Sequence, residues 1–204
     1  GLSDGSGDLL VCLGAVPLPD ARPAPPGGVG IIAPFAARHH YRRIVTALRP
    51  LSRRIREELG LPKSAVRLFS NSALPERSLA AALGLGWVGR HGLLMNAEYG
   101  SSFLLAGLAI DLGAACSSLI GFDGVELIRA LRPPADLYAR CGACRACVAA
   151  CPVQAIGAIS PEGGVDTDRC LQQLSTRPGP LPDAARRVWG RRIYGCQICQ
   201  EACP

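Results

Sequence analysis

Eight cysteines crowd between positions 141 and 203, in spacings that could bind metal. The first group is Cys141-Gly-Ala-Cys144-Arg-Ala-Cys147-Val-Ala-Ala-Cys151-Pro152, a C-x2-C-x2-C-x3-C-P run. This is the spacing of bacterial ferredoxins, in which three thiolates wrap one cubane and the fourth points to the other cluster. The proline biases Cys151 toward an extended or turn conformation. The second group is Cys196-Gln-Ile-Cys199-Gln-Glu-Ala-Cys203-Pro204, with Cys170 as its displaced upstream member. The crossed rule assigns Cys141, Cys144, Cys147 and Cys203 to one cluster. It assigns Cys151, Cys170, Cys196 and Cys199 to the other. Eight ligands then serve two [4Fe–4S] clusters with none left over. Two four-thiolate zinc sites would also use eight cysteines, but zinc does not require this run.

These ligands need a scaffold. The chain has 204 residues, 49% hydrophobic and 19% charged, which excludes a mostly disordered protein and allows a real core. Of its 22 basic residues only Lys63 is lysine, and the formal charge is +6. Each cluster with its thiolates carries about −2, so the loaded protein is expected near +2. A basic balance is therefore weak support for a nucleic-acid partner. The longest apolar run, residues 103–110, is stopped by Asp111, well short of the roughly 18 residues of a membrane span. No signal peptide is visible, which points to the cytoplasm and away from disulfides. Gly1 in place of an initiator Met implies a true N-terminus upstream.

The density of cysteine changes near Arg132-Pro133-Pro134, which divides the chain into domains 1–135 and 136–204. In the first, short apolar runs predict strands at 9–16, 65–69 and 103–110. Ile44, Val45, Leu48, Leu51, Ile55 and Leu59 predict a helix over 40–59, kinked or restarted at Pro50 and ended by Gly60 and Pro62. Further helices are expected at 75–83, with Pro75 at its first position, and at 125–131. The mixture predicts an α+β domain. Cys12 and Cys116 read as buried core thiols. Gly84-Leu-Gly86-Trp87-Val88-Gly89 matches G-x-G-x-x-G, but it follows a predicted helix, which argues against a dinucleotide site. It reads either as a helix cap with a tight turn, or as a bare backbone surface that a flat cofactor approaches. Arg38-His39-His40-Tyr41-Arg42-Arg43 reads as a solvated helix start, and Arg186, Arg187, Arg191 and Arg192 either as a basic helix face near the clusters or, more often for such a run, as a solvated face.

Several blocks resemble the epoxyqueuosine reductases. They are Ser70-Asn-Ser-Ala-Leu-Pro-Glu-Arg77, the stretch from Ala81 to Gly89, Arg90-His-Gly-Leu-Leu-Met95, Gly100-Ser-Ser-Phe103, and the end from Ile193 to Pro204. The resemblance runs over about residues 31–204. It implies a nitroreductase-like cobalamin-type α+β domain, then a ferredoxin-like domain with two [4Fe–4S] clusters that feed electrons to cobalt. It further implies reduction of an epoxide in a modified tRNA nucleoside, as the last step toward queuosine. By resemblance Gly84, Gly86, Trp87, Gly89 and Arg90 bind cobalamin, and Arg77 stabilises an oxyanion. Asn71 stands where the family carries an aspartate, and an amide has no carboxylic proton to give. Tyr41 or His40 is the replacement donor. The family's C-terminal helical repeats, which help hold tRNA, are not in this sequence.

Three readings follow. The first is a cytoplasmic iron–sulfur oxidoreductase that uses a corrinoid and takes electrons from a flavodoxin or ferredoxin. The alternative is a non-catalytic [4Fe–4S] electron-transfer protein without cobalamin. The third is a tRNA-binding protein, and no membrane partner is expected.

Overall fold

The structure is a computed structural model that describes residues 9–18, 27–112, 138–160 and 163–204. The described residues form two units. The expected helix at 125–131, the boundary at 135/136, Cys116 and the Cys12 side chain lie outside the described residues.

The first unit holds 9–16, 39–85 and 104–112. Its sheet has the order β1 (Leu9–Pro17), β6 (Phe103–Asp111), β3 (Val66–Phe69). The central strand β6 is buried along residues 104–110, as its unbroken apolar run predicts. β3 pairs with it antiparallel, Val66 opposite Ile110 and Phe69 opposite Gly107. Helix α1 (His40–Leu59) packs on β3. Leu48 and Ile55 of α1, with Leu61 and Leu68, close over Val66, Leu108, Ile110 and Leu112.

A second helix does not start at Pro50, because α1 is one helix with Pro50 inside it. A mid-helix proline costs about 3 kcal/mol, and burial of apolar side chains on both sides of Pro50 offsets it. Gly60 ends the helix in the left-handed region at φ 63°. Its N–H and that of Leu61 both donate to the Arg56 carbonyl. Helix α2 (Glu76–Ala82) buries Leu79 and Ala80. Pro75 sits at its N-cap, one position before the one expected.

The second unit joins 138–160 and 163–204 to 17–18, 27–38 and 86–103. Two segments that precede the cysteines in sequence thus pack with them. One supplies β2 (Ile31–Ile32), parallel to β7 (Arg192–Tyr194). The other supplies the hairpin of β4 (Trp87–Val88) and β5 (Leu94–Met95), which pattern alone does not announce. Four short helices complete the unit: α3 (Ala146–Ala150), α4 (Leu171–Leu174), α5 (Asp183–Trp189) and α6 (Ile198–Glu201). α3 packs on α6. Leu171, Leu174 and Ala185 form a small core, with Val153, Leu181, Val188, Trp189 and Cys196 against it. Among the described residues no helix is long and apolar enough to cross a membrane.

The expected basic face near α5 is partly spent on local structure. Arg186 pairs with Asp183. Arg192 donates to the carbonyls of Val188 at 3.3 Å and Trp189 at 2.7 Å. It therefore caps the C-terminal end of α5.

Candidate functional site

The cysteines occupy the ends of short helices. Cys141 closes a 3-10 turn, Cys147 lies in α3, and Cys151 follows it in extended conformation. Cys170 is the N-cap of α4, while Cys199 lies in α6 and Cys203 just past it. Packing of α3 on α6 brings the two groups together although about 50 residues separate them.

Burial and mutual repulsion shift four of the thiols. Burial pushes the Cys147 thiol up, and Cys141 and Cys203 add to the rise, while the backbone N–H groups of Cys147 and Val148 oppose it. Cys203 is raised by burial and then by Cys141 and Cys144. Burial likewise raises Cys196, against the backbone N–H of Ile198 and the Arg192 charge, with Cys170 and Cys151 adding to the rise. Cys199 is pushed up to about 12, by burial first and then by Cys196, Cys170, Cys147 and Cys151. The neighbours of Cys147 and Cys203 come from one crossed set, and those of Cys196 from the other. Cys199 feels three members of its own set and one of the other, so the two sets adjoin.

Cys147 is buried, Cys144 exposed and the other six half-buried, and thiolates formed this close together would repel unless a cation lay among them. A tetrahedral zinc with sulfur at about 2.3 Å would draw its thiolates to about 3.8 Å from one another. Four bridged irons hold theirs wider. The donor set and its grouping fit two [4Fe–4S] clusters.

Other groups brace the ligands. The Ala155 N–H donates to Cys151 Sγ at 3.2 Å. Gln172 Oε1 accepts from the Cys196 N–H at 3.1 Å. Arg90 is buried at 8% exposure. Its Nε donates to the Cys144 carbonyl at 3.1 Å and its Nη2 to that of Gly142 at 2.5 Å. Neither Arg90 nor Gln172 is legible as a cysteine-loop residue, since each acts across a long sequence separation.

The glycine block forms a helix cap and close backbone contacts within the chain. Gly84 caps the end of α2 at φ 76°. A Cβ on Gly86 would lie 1.9 Å from the Met95 carbonyl oxygen. One on Gly89 would lie 2.9 Å from His91 Cε1. The space beside these two glycines is filled by the chain itself. Trp87 is half-buried under the Arg140 guanidinium, 4.8 Å from its ring centre. His91 is 3% exposed, accepts from the Leu93 N–H at Nδ1, and has a buried Nε2 without a hydrogen-bond partner. Burial lowers its pKa.

In the first unit Asn71 lies on the loop between β3 and α2, exposed and left-handed at φ 55°. Asparagine tolerates that conformation. Glu76 holds the loop, accepting from the Asn71 N–H at 3.1 Å, the Ser72 N–H at 2.7 Å and the Ser72 hydroxyl at 2.8 Å. Arg77 is exposed on α2 and Tyr41 half-buried at the start of α1. His39, Arg42, Arg43, Thr46 and Ala47 line a shallow hollow of about 370 Å³.

Residues 140–204 match the family described as the 4Fe-4S double cluster binding domain. The epoxyqueuosine reductase of Alicycliphilus denitrificans is 37% identical over 177 residues, covering 85% of this chain and 43% of that protein. The structure of epoxyqueuosine reductase from Streptococcus thermophilus superposes with a TM-score of 0.67 at 27% identity, over 95% of this chain and 48% of that one. An epoxyqueuosine reductase solved with a tRNA-Tyr epoxyqueuosine-modified tRNA stem loop gives 0.69 at 24% identity, over 95% and 48%. The chain spans less than half the length of each of these proteins. Over most of its own length it is similar in sequence and fold to epoxyqueuosine reductases, with the mixed α+β architecture and double-cluster region expected of them.

Proposed function

We propose that this relative of the epoxyqueuosine reductases is an iron–sulfur oxidoreductase, in which two [4Fe–4S] clusters feed electrons to a corrinoid that reduces an epoxide-like substrate. The observation that carries the reading is the match of residues 140–204 to the 4Fe-4S double cluster binding domain, with the cysteine-bearing helices α3 and α6 packed together. Cys141, Cys144, Cys147 and Cys203 hold one cluster. Cys151, Cys170, Cys196 and Cys199 hold the other. Each cysteine gives up its proton on loading. The Ala155 N–H on Cys151 Sγ draws charge from that sulfur and raises the potential of its cluster.

Similarity supports the corrinoid, which when bound supplies strongly reducing chemistry suited to breaking a C–O bond. The Gly84–Arg90 block does not fit it as a bare cradle, because Gly86, Gly89 and Arg90 are used within the chain. At the substrate, Arg77 stabilises the developing oxyanion and Tyr41 supplies the proton that Asn71 lacks. A flavodoxin or ferredoxin donates electrons, and the cytoplasm is the compartment. A tRNA substrate is supported by the relative solved with a stem loop.

The filled glycines and Asn71 favour a second reading, an electron carrier without a corrinoid. Anaerobic purification with added cobalamin, then iron, sulfide and cobalt analysis, separates the two. About eight irons and one cobalt per chain are expected of the reductase. Eight irons without retained cobalt mark the carrier, and zinc without iron overturns both.

A further inference from the structure

Arg90 sits in the turn between β4 and β5, and that turn is tightly specified. The Gly89 N–H donates to the Leu93 carbonyl at 2.9 Å and the Gly92 N–H to the Gly89 carbonyl at 2.8 Å. The His91 ring fills the space beside Gly89. The Arg90 carbonyl accepts from the Gly164 N–H at 3.0 Å. The guanidinium therefore starts from a fixed base.

It reaches the carbonyls of Gly142 and Cys144, which lie among Cys141, Cys144 and Cys147. That stretch joins a 3-10 turn to α3 and has no regular hydrogen-bond ladder of its own. Gly142 adopts φ 48°, ψ −126°, a conformation that side chains disfavour. A planar fork of five donors spans two carbonyls, which an ammonium does less well. Burying a guanidinium is costly unless it is bonded and near negative charge. Two carbonyls are among the partners that meet the first need, and a cluster of about −2 held by the same loop would contribute to the second.

We propose that Arg90 is a positioning residue for the first cluster. It locks the loop so that the thiols of Cys141, Cys144 and Cys147 face one cubane, and it sets a permanent positive charge beside that cubane. The proposal rests on the cluster reading. A fixed positive charge favours the more negative, reduced cluster and so raises its potential.

Two variants separate hold from charge. Arg90→Lys keeps the charge and loses the fork, and Arg90→Gln loses both. Loss of an outer partner of a metal ligand costs roughly 10–100-fold in metal affinity. Both variants are expected to release four of about eight irons to a chelator faster by a factor in that range. Electron paramagnetic resonance during a redox titration is expected to show one cluster shifted to lower potential in Arg90→Gln and unshifted in Arg90→Lys. In a Cys203→Ser background, which keeps the second set intact, neither variant should change the remaining cluster. Wild-type iron release and potentials in both variants would overturn the proposal, as would equal loss from both clusters in Arg90→Lys. A wild-type chain that takes up no iron overturns the cluster reading, and this proposal with it.

Discussion

Cys199 shows at a single residue how the empty and loaded states differ. Its thiol is pushed up from 9.0 to about 12, mainly by burial. Between those values the folded apo chain keeps a proton that the unfolded chain has lost. Its stability contribution is complete below pH 9 and is lost as pH rises toward 12. The slope from this thiol alone is about −1.4 kcal/mol per pH unit. Urea midpoints of the apo protein are expected to fall above pH 9, and less steeply in Cys199→Ser. The crossed assignment also predicts a pattern of non-additivity. Cys147→Ser and Cys203→Ser should each cost about four of eight irons, and the pair no more than either alone. Combining Cys203→Ser with Cys199→Ser should cost all eight. Uncrossed ligation, with Cys151 in the first set and Cys203 in the second, would make the first pair additive.

At the scale of elements, the β4–β5 hairpin carries the most consequence. It presents Arg90, and Gly86 permits its close backbone approach. Gly86→Ala would drive a methyl into the Met95 carbonyl, which is backbone and cannot swing aside. Overpacking of this kind costs about 1–3 kcal/mol. Gly84→Ala meets open space and suffers only its left-handed backbone, φ 76°, at about 1 kcal/mol. Chemical denaturation should rank Gly86→Ala as the more damaging. If a cofactor rather than the chain filled that space, Gly86→Ala would leave apo stability unchanged and lower only cofactor retention.

For the whole molecule, the decisive quantity is charge on loading. The apo chain has a formal +6, and two clusters of about −2 each bring it near +2. Native isoelectric focusing under anaerobic conditions should therefore place the reconstituted protein at lower pH than the apo protein. Zinc in two four-thiolate sites would give the same sign, since a divalent ion with four thiolates also carries about −2. The visible absorption of the clusters and the iron count tell the two apart.

Much of this was readable from local order. The cysteine spacing announces the double-cluster region that the family match bears out, because thiols within a few residues of each other have little freedom to point elsewhere. The strands at β1, β3 and β6, the span of α1 and the Gly60 stop follow from apolar period and glycine chemistry, which act over one or two turns. Other features depend on contacts between distant segments. Pro50 could be judged only with β3 in place to receive both halves of α1. The close approach of the Met95 carbonyl to Gly86 depends on the fold of the β4–β5 hairpin. Arg90 bonds the Gly142 carbonyl, 52 residues on, a contact that its neighbours in sequence do not announce. Cys203 adjoins Cys147 because α6 packs on α3. Spacing along a chain constrains what each residue can do nearby, whereas burial, charge and hydrogen-bond partners belong to the packed molecule and decide which of those options is used.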